Sequence, residues 1–213
     1  MRILLVGATG TIGRAVLSAL RGRHEVVEAS HRKAQYQVDI VDSESIRALY
    51  ERVGHVDAVI AAAGGAAWKP LGDLTDADLQ FSLRYKLMGQ VNLVRIGTHW
   101  VRDGGSFTLT SGVLAHQPVP GSTAVSIVNA AVEAFGRAAA LELPRRLRIN
   151  VVSPPWVAET LRAAGRDSST GLLAAELAQS YVASVEGSQT GDIIAPAPPS
   201  ASPANPPPQP RTG

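Results

Sequence analysis

The sequence predicts an α/β fold, a parallel sheet of about seven strands with helices on both faces. Three observations carry this. Short continuous apolar runs, too short for helices, recur along the chain and are bounded by glycine or polar residues. Between them lie stretches of helical period, and strands joined by helices pair in parallel with both faces covered. Finally, 213 residues at 45% hydrophobic content suffice for a sizeable single core.

The elements follow in order. Arg2–Val6 is an apolar run ended by glycine, hence a buried strand. Thr11–Arg21 reads as a helix with Ile12, Ala15, Val16 and Ala19 on one face. Glu25–Ala29 is a second strand, and a short strand is expected around Gln37–Ile40. Asp42 or Ser43 caps a helix running to about Val53. Val56–Ala61 is the next buried strand. Leu74 to Val101 carries helical periodicity with Thr75 or Asp76 as its cap, and Gly104–Gly105 is expected to end it. Ser106–Thr110 is a strand. Ala124–Leu143 is a long Ala-rich helix stopped by Pro144. Arg148–Val152 is a strand, Gly171–Val185 a helix, and Asp192–Ile194 a last short strand.

Residues 1–194 are read as one domain. Of the 14 prolines, 8 fall between Pro196 and Pro210, in a stretch without large apolar residues. Such a segment cannot offset its ordering entropy, so 195–213 is expected to be a disordered or polyproline-like tail.

Composition excludes several classes. The absence of cysteine removes disulfide scaffolds, thiolate nucleophiles and Cys-ligated metals. The five histidines, at 24, 31, 55, 99 and 116, show no ligand spacing, so no metal is expected. A net charge of +2 with scattered basic residues and 5% aromatics gives no nucleic-acid footprint. No apolar stretch reaches the ~18 residues of a membrane span, and the apolar N-terminus runs into glycines rather than a cleavage region. A cytoplasmic protein acting on a small molecule is expected.

The strongest local motif is Gly7-Ala8-Thr9-Gly10-Thr11-Ile12-Gly13. It follows the first strand and opens the first helix, the context in which such glycines bind a dinucleotide. Gly7 allows the tight turn, Gly10 lets the backbone approach a pyrophosphate, and Gly13 lets helix and sheet pack closely. This adds a doubly wound, Rossmann-type character to the fold. A site preferring NAD usually places Asp or Glu at the end of the second strand. Here that end reads Glu28-Ala29-Ser30-His31-Arg32. Ser30 and Arg32 suit a 2′-phosphate, so NADP(H) is the expected cofactor, and Glu28 lies too early in the strand to reach.

These residues resemble the short-chain dehydrogenase/reductase family across about 1–194. The glycine turn stands where the family has TGxxxGxG, with Val6 where threonine is common. Asp39-Ile40 looks like the adenine-contacting pair. Ala61-Ala62-Ala63-Gly64 occupies the slot of the NNAG motif with both asparagines replaced. Leu109-Thr110-Ser111-Gly112 resembles the strand bearing the catalytic serine. Asn150-Val151-Val152-Ser153-Pro154-Pro155 resembles N-x-V-x-P-G with Pro155 for glycine, and Thr190–Ile194 the late strand. The resemblance implies cofactor contacts from Gly7, Thr9, Gly10, Thr11, Ile12, Gly13, Ser30, Arg32, Asp39, Ile40, Ala62, Gly64, Pro154 and Val157. It also implies pairing of the two long helices in a homodimer or homotetramer.

The family's proton chemistry uses Ser, Tyr, Lys and Asn. Ser111 matches the serine. Counting from Ala130-Ala131-Val132-Glu133-Ala134-Phe135 puts Asn129 at the lysine and Val125 at the tyrosine, and counting from Met88–Leu93 puts Lys86 at the asparagine. Valine transfers no proton. The substitutes are Lys86 and Ser111, with His116, Ser122 and Ser126 as weaker candidates. Tyr85 is expected to face elsewhere, about 100° around the helix. Three functions stay open: an NADP(H)-dependent oxidoreductase with an atypical active site, a non-catalytic NADP(H)-binding sensor or partner subunit, and a non-redox isomerase or dehydratase using Ser111 and Lys86.

Overall fold

The structure, a computed structural model, describes residues 1–196. The tail expected at 195–213 lies almost wholly outside them. Seven parallel strands form one sheet in the order β3-β2-β1-β4-β5-β6-β7. They are β1 (Arg2–Val6), β2 (Glu25–Ser30), β3 (Tyr36–Gln37), β4 (Val56–Ala61), β5 (Val101–Thr110), β6 (Arg148–Val152) and β7 (Ile193–Ile194). The order reverses between β1 and β4, which opens a crevice at the carboxyl ends of those strands, where doubly wound sheets place their ligands.

Strand alternation sorts the core into two layers. In β1, Leu4 and Val6 face one side while Ile3 and Leu5 face the other. The first layer is closed by α2 (Ser43–Val53), α4 (Gly89–Gly97) and α5 (Thr123–Glu142), through Ile46, Leu49, Leu93 and Val132. The second is closed by α1 (Thr11–Leu20) and α7 (Ala174–Glu186), through Val16, Leu20, Leu177 and Tyr181. Asp42 caps α2, its carboxylate accepting from Glu44 N–H at 2.9 Å.

Several boundaries differ from expectation. The helix expected from Leu74 to Val101 is three pieces: α3 (Asp76–Ser82) behind a Thr75–Asp78 capping box, a π-turn over Leu83–Met88, and α4. It ends at Gly97, where a side chain would strike the Tyr50 ring. Tyr50 donates to Leu93 O at 2.7 Å, and Trp100 stacks on it with centroids 6.5 Å apart. The chain therefore turns early, and β5 starts at Val101 rather than at 106. Val101 pairs with Val56 but Ser106 with Ala58, so the first part of β5 bulges out of register.

Smaller shifts occur elsewhere. β3 sits at Tyr36–Gln37, one residue ahead of the span expected, because only those residues pair with Ala29 and Ser30. A short helix, α6 (Ala158–Ala163), lies between β6 and α7, in a segment for which the sequence predicts no element. The next helix starts at Ala174 rather than 171, since Gly171 packs against Ala158 and Leu172 bridges to Val157.

Candidate cofactor and catalytic site

The glycine turn divides its labour differently from the sequence reading. Gly7 has φ +92°, and a Cβ there would lie 2.5 Å from Ala62 O, so this glycine and Ala62 bring β1 and the end of β4 together. At Gly13 a side chain would strike the Gly7 carbonyl. Gly10 alone has room, meeting only Gly7 O at 3.4 Å with an ordinary φ of −74°. It is the N-cap of α1, with no side-chain cap bond and no acidic residue in the first turn. The N–H groups of Thr11, Ile12 and Gly13 thus lack intrahelical partners at the positive end of the helix dipole. The turn is a cradle for an anionic group.

Beside it runs a cleft of about 840 Å³, lined by Thr9, Arg14, Arg21, His31, Arg32 and Lys33 among others. Arg21 is paired with Glu28 at 3.0 Å, which also removes that carboxylate from competition. Arg14 donates to Thr9 O at 2.6 Å. Arg14, Arg32 and Lys33 form no ion pair among the described residues. Ser30 does not line this cleft. Its hydroxyl is buried, accepts from Lys33 N–H at 3.3 Å and faces a second hollow of about 160 Å³ with Val38, Asp39, Ile40, Gly64 and Tyr85. Tyr85, expected to face away, packs in a tilted contact against Phe81 (4.6 Å between centroids) at the rim of that hollow. Asp39 is held by the start of α2: its N–H donates to Ser45 Oγ at 2.9 Å while its carboxylate accepts from Val41 N–H at 3.0 Å.

The second half of the site lies at the ends of β4, β5 and β6. Lys86 sits in the π-turn, and its Cδ would lie 3.0 Å from a Cβ on Gly64. Gly64 has φ +132°, so this crossing needs glycine. Lys86 Nζ donates to the Ser111 carbonyl at 3.4 Å, and desolvation pushes its pKa down to about 8. Fully buried Gln90 fixes the turn, donating to Lys86 O and Thr110 O at 3.0 Å and accepting from Thr110 N–H at 2.8 Å.

Lys86 and Ser111 therefore converge, but through the serine backbone. The Ser111 hydroxyl is buried and donates to Glu133 Oε1 at 2.8 Å, so it does not face Lys86 as expected of a catalytic hydroxyl. Gly112, the next residue, also faces α5: a Cβ there would meet Asn129 Nδ2 at 3.0 Å. Asn129 is 3% exposed and donates to Gly112 O at 3.5 Å; its Oδ1 is a buried acceptor with no partner among the described residues. Pro154 O accepts from Val113 N–H at 2.8 Å, tying the β6 loop to the β5 loop. The Val157 side chain is committed to the core, leaving only its backbone for a ligand.

Glu133 organises this region. It is 1% exposed and accepts from Ser111 Oγ, from Ser153 Oγ at 3.0 Å and from His116 Nε2–H at 2.6 Å. The imidazole itself is 62% exposed. Ser111 and His116 both bond the carboxylate and not each other, so there is no serine–histidine nucleophile couple.

A family model described as enoyl-(acyl carrier protein) reductase matches residues 14–194. The chain belongs to the short-chain dehydrogenase/reductase family. The crystal structure of lin1944 from Listeria innocua is 39% identical with a TM-score of 0.88, covering 92% of this chain and 98% of that one. A small-chain dehydrogenase in complex with NADPH is 26% identical with a TM-score of 0.81, covering 92% and 96%. Hydroxynaphthalene reductase arp2 of Aspergillus fumigatus is 27% identical over 139 residues, 62% of this chain and 51% of the relative. The chain thus spans about half the length of that reductase.

Within this short-chain dehydrogenase/reductase, sequence reasoning singled out His116 but not its partner. A signal existed. Val125, Asn129 and Glu133 recur at four-residue spacing, which puts all three on one helical face. An acidic residue on the inward face of an Ala-rich helix must have donors around it.

Proposed function

We propose that the chain is an NADP(H)-dependent oxidoreductase that reduces a carbonyl, or oxidises the corresponding alcohol, of a small organic molecule. The observation that carries this reading is the open basic cleft beside the glycine turn, where Arg14, Arg32 and Lys33 lack carboxylate partners among the described residues. A 2′-phosphate matches those charges, whereas the one nearby carboxylate, Glu28, is engaged by Arg21. The NADPH complex of a structural neighbour agrees with this choice. The fungal relative is named as a hydroxynaphthalene reductase, which fits the same reaction class.

The residues present fit the cofactor. The uncapped start of α1 suits the pyrophosphate, Asp39 and Ile40 border an adenine-sized hollow, and the orphaned Asn129 Oδ1 suits a ribose hydroxyl. Bound NADPH supplies the hydride. The chain's part is to hold the ring against the Pro154 loop, to keep water from the closed face, and to manage the charge that develops on the substrate oxygen. Lys86 is the cation placed for that charge. Val125 and Asn129, at the positions the family resemblance gives to tyrosine and lysine, leave the proton donor to be found elsewhere.

Titration with NADPH and NADH by calorimetry tests the reading: NADPH binds more tightly, and equal affinities overturn it. Assembly is part of the proposal. The outer face of α5 exposes Ile127 and Leu141 with Ala130, Ala134 and Ala138 between them, a stripe on which a second copy could pack at short range. Light scattering is expected to give a dimer or tetramer, and a monomer at micromolar concentration counts against it.

A further inference from the structure

The structure assigns the missing proton transfer to His116, held by buried Glu133, and makes the adjoining cavity the seat of an aromatic carbonyl substrate. The inference rests on the NADP(H) oxidoreductase reading above. Its starting point is a buried carboxylate, which is costly unless donors surround it. Glu133 comes from the middle of α5 and gathers donors from three other segments: Ser111 after β5, His116 in the following loop, and Ser153 after β6. A carboxylate so enclosed is held in one orientation, and its outermost partner is the only one that reaches solvent. That partner is the imidazole. Nε2–H is fixed on Glu133 Oε2, and Nδ1 has no hydrogen bond among the described residues. A side chain oriented through one ring nitrogen and free at the other is arranged for proton exchange.

His116 lines a cavity of about 390 Å³ together with Val113, Gln117, Ser153, Pro155 and Trp156 among others. Its floor is the pair of loops tied by the Val113–Pro154 hydrogen bond, at the carboxyl ends of β5 and β6. Trp156 gives it a flat wall, set by its tilted contact with Trp68 (6.0 Å) and by Arg166 lying 4.8 Å over the ring. A flat indole wall facing a polar group suits an aromatic ketone or quinone, oxygen toward His116. In the reduction, hydride adds to the carbonyl carbon, the C=O π pair moves to oxygen, and that oxygen takes the proton from Nδ1 of the imidazolium. The products are the alcohol, NADP⁺ and neutral imidazole, which solvent reprotonates; a quinone first gives the hydroxydienone, which loses the transferred hydrogen from carbon as a proton and gains a proton on its second oxygen to become the hydroquinone. His116 would be a catalytic residue, and Glu133 a positioning residue.

The test uses the whole chain with NADPH and three probes: acetophenone, menadione and cyclohexanone. The aromatic probes are expected to be reduced faster than cyclohexanone. His116→Gln is expected to lower the rate roughly 100-fold or more, the scale of a positioned acid, with NADPH affinity unchanged. His116→Gly is expected to recover activity when free imidazole is added, which a merely structural role would not allow. Independently of turnover, acetophenone is expected to protect His116 from carbethoxylation, read by peptide mass. Wild-type rates in His116→Gln, no rescue by imidazole, or NADPH binding with none of the probes reduced each overturn the inference. Failure of NADPH to bind removes the cofactor reading itself and is read separately, by calorimetry.

Discussion

At the β1–β2 end, the candidate site is built from backbone. Gly7 and Gly13 are consumed in bringing chain segments together, Gly10 is left bare, and the amides of α1 face outward. At the β5–β6 end the site is built from side chains of distant segments, with Glu133 drawing Ser111, His116 and Ser153 together across 17 to 22 residues of sequence. The first region depends on what is absent at a few positions, and the second on what is enclosed. They should therefore fail differently when altered: the first by losing a ligand, the second by losing stability and turnover together.

The sharpest contrast is expected from Gly10→Val. Its Cβ has space within the protein, so the fold should survive, but the branched side chain would stand where an anion must approach. Calorimetry should show NADPH binding abolished while the melting curve stays near wild type. Normal binding to the folded variant would place the cofactor elsewhere.

Glu133→Ala should show the opposite pattern. Removing the carboxylate orphans the Ser111 and Ser153 hydroxyls and leaves a void, at a cost on the order of 3 kcal/mol. For a chain of this size that corresponds to a fall in Tm of roughly 6–12 °C. An unchanged Tm would mean that the buried cluster is not a structural unit.

Arg32→Ala probes the edge of the first region. Loss of one charge-assisted bond should weaken NADPH by about 1.5–3 kcal/mol and leave NADH unchanged. Equal weakening of both cofactors would take the 2′-phosphate away from this residue.

A further contrast concerns Lys86, which joins the two regions. Burial lowers its pKa from 10.5 to about 8. Between those values the unfolded chain binds more protons than the folded one, so stability rises with pH across that window. Below pH 8 the cost of burying the charge is fully present. Lys86→Met should accordingly raise Tm at pH 7, and the gain should shrink as pH climbs from 8 toward 10.5. Comparing its turnover with that of His116→Gln also apportions the proton: a large loss only in Lys86→Met would transfer the donor's role to the lysine.

What the sequence made legible follows the same divide. Strands β1, β4 and β6 lie where their apolar runs put them, because a buried parallel strand is written in consecutive residues. The glycine turn was legible for the same reason. Ser111 was not: its place in a strand-to-turn motif marks the loop, but which side of the loop its hydroxyl takes is decided by Glu133, 22 residues later. The break at Leu83–Met88 was hidden as well, since a π-turn keeps the apolar rhythm of the helices around it and shifts the phase only by one residue. The early end of the helix at Gly97 depended on Tyr50, a partner far away in the chain.

The out-of-register start of β5 has a consequence for how this chain tolerates change in length. From Val56 to Ala58 β4 advances two residues while β5 advances five, from Val101 to Ser106, and the surplus is taken up at the amino edge of the sheet. That edge is opposite the crevice. A Cβ at Gly104 meets nothing within 4 Å, and the turn is held by the Asp103–Arg145 pair and by Gly104 N–H donating to Arg145 O at 3.0 Å. The bulge works as a slack loop in an otherwise taut sheet: residues inserted between Asp103 and Gly104 would spill into solvent without pulling on Thr110 or the loops beyond it. It is the position at which a reporter or tether could be spliced into the chain while the opposite rim keeps its geometry.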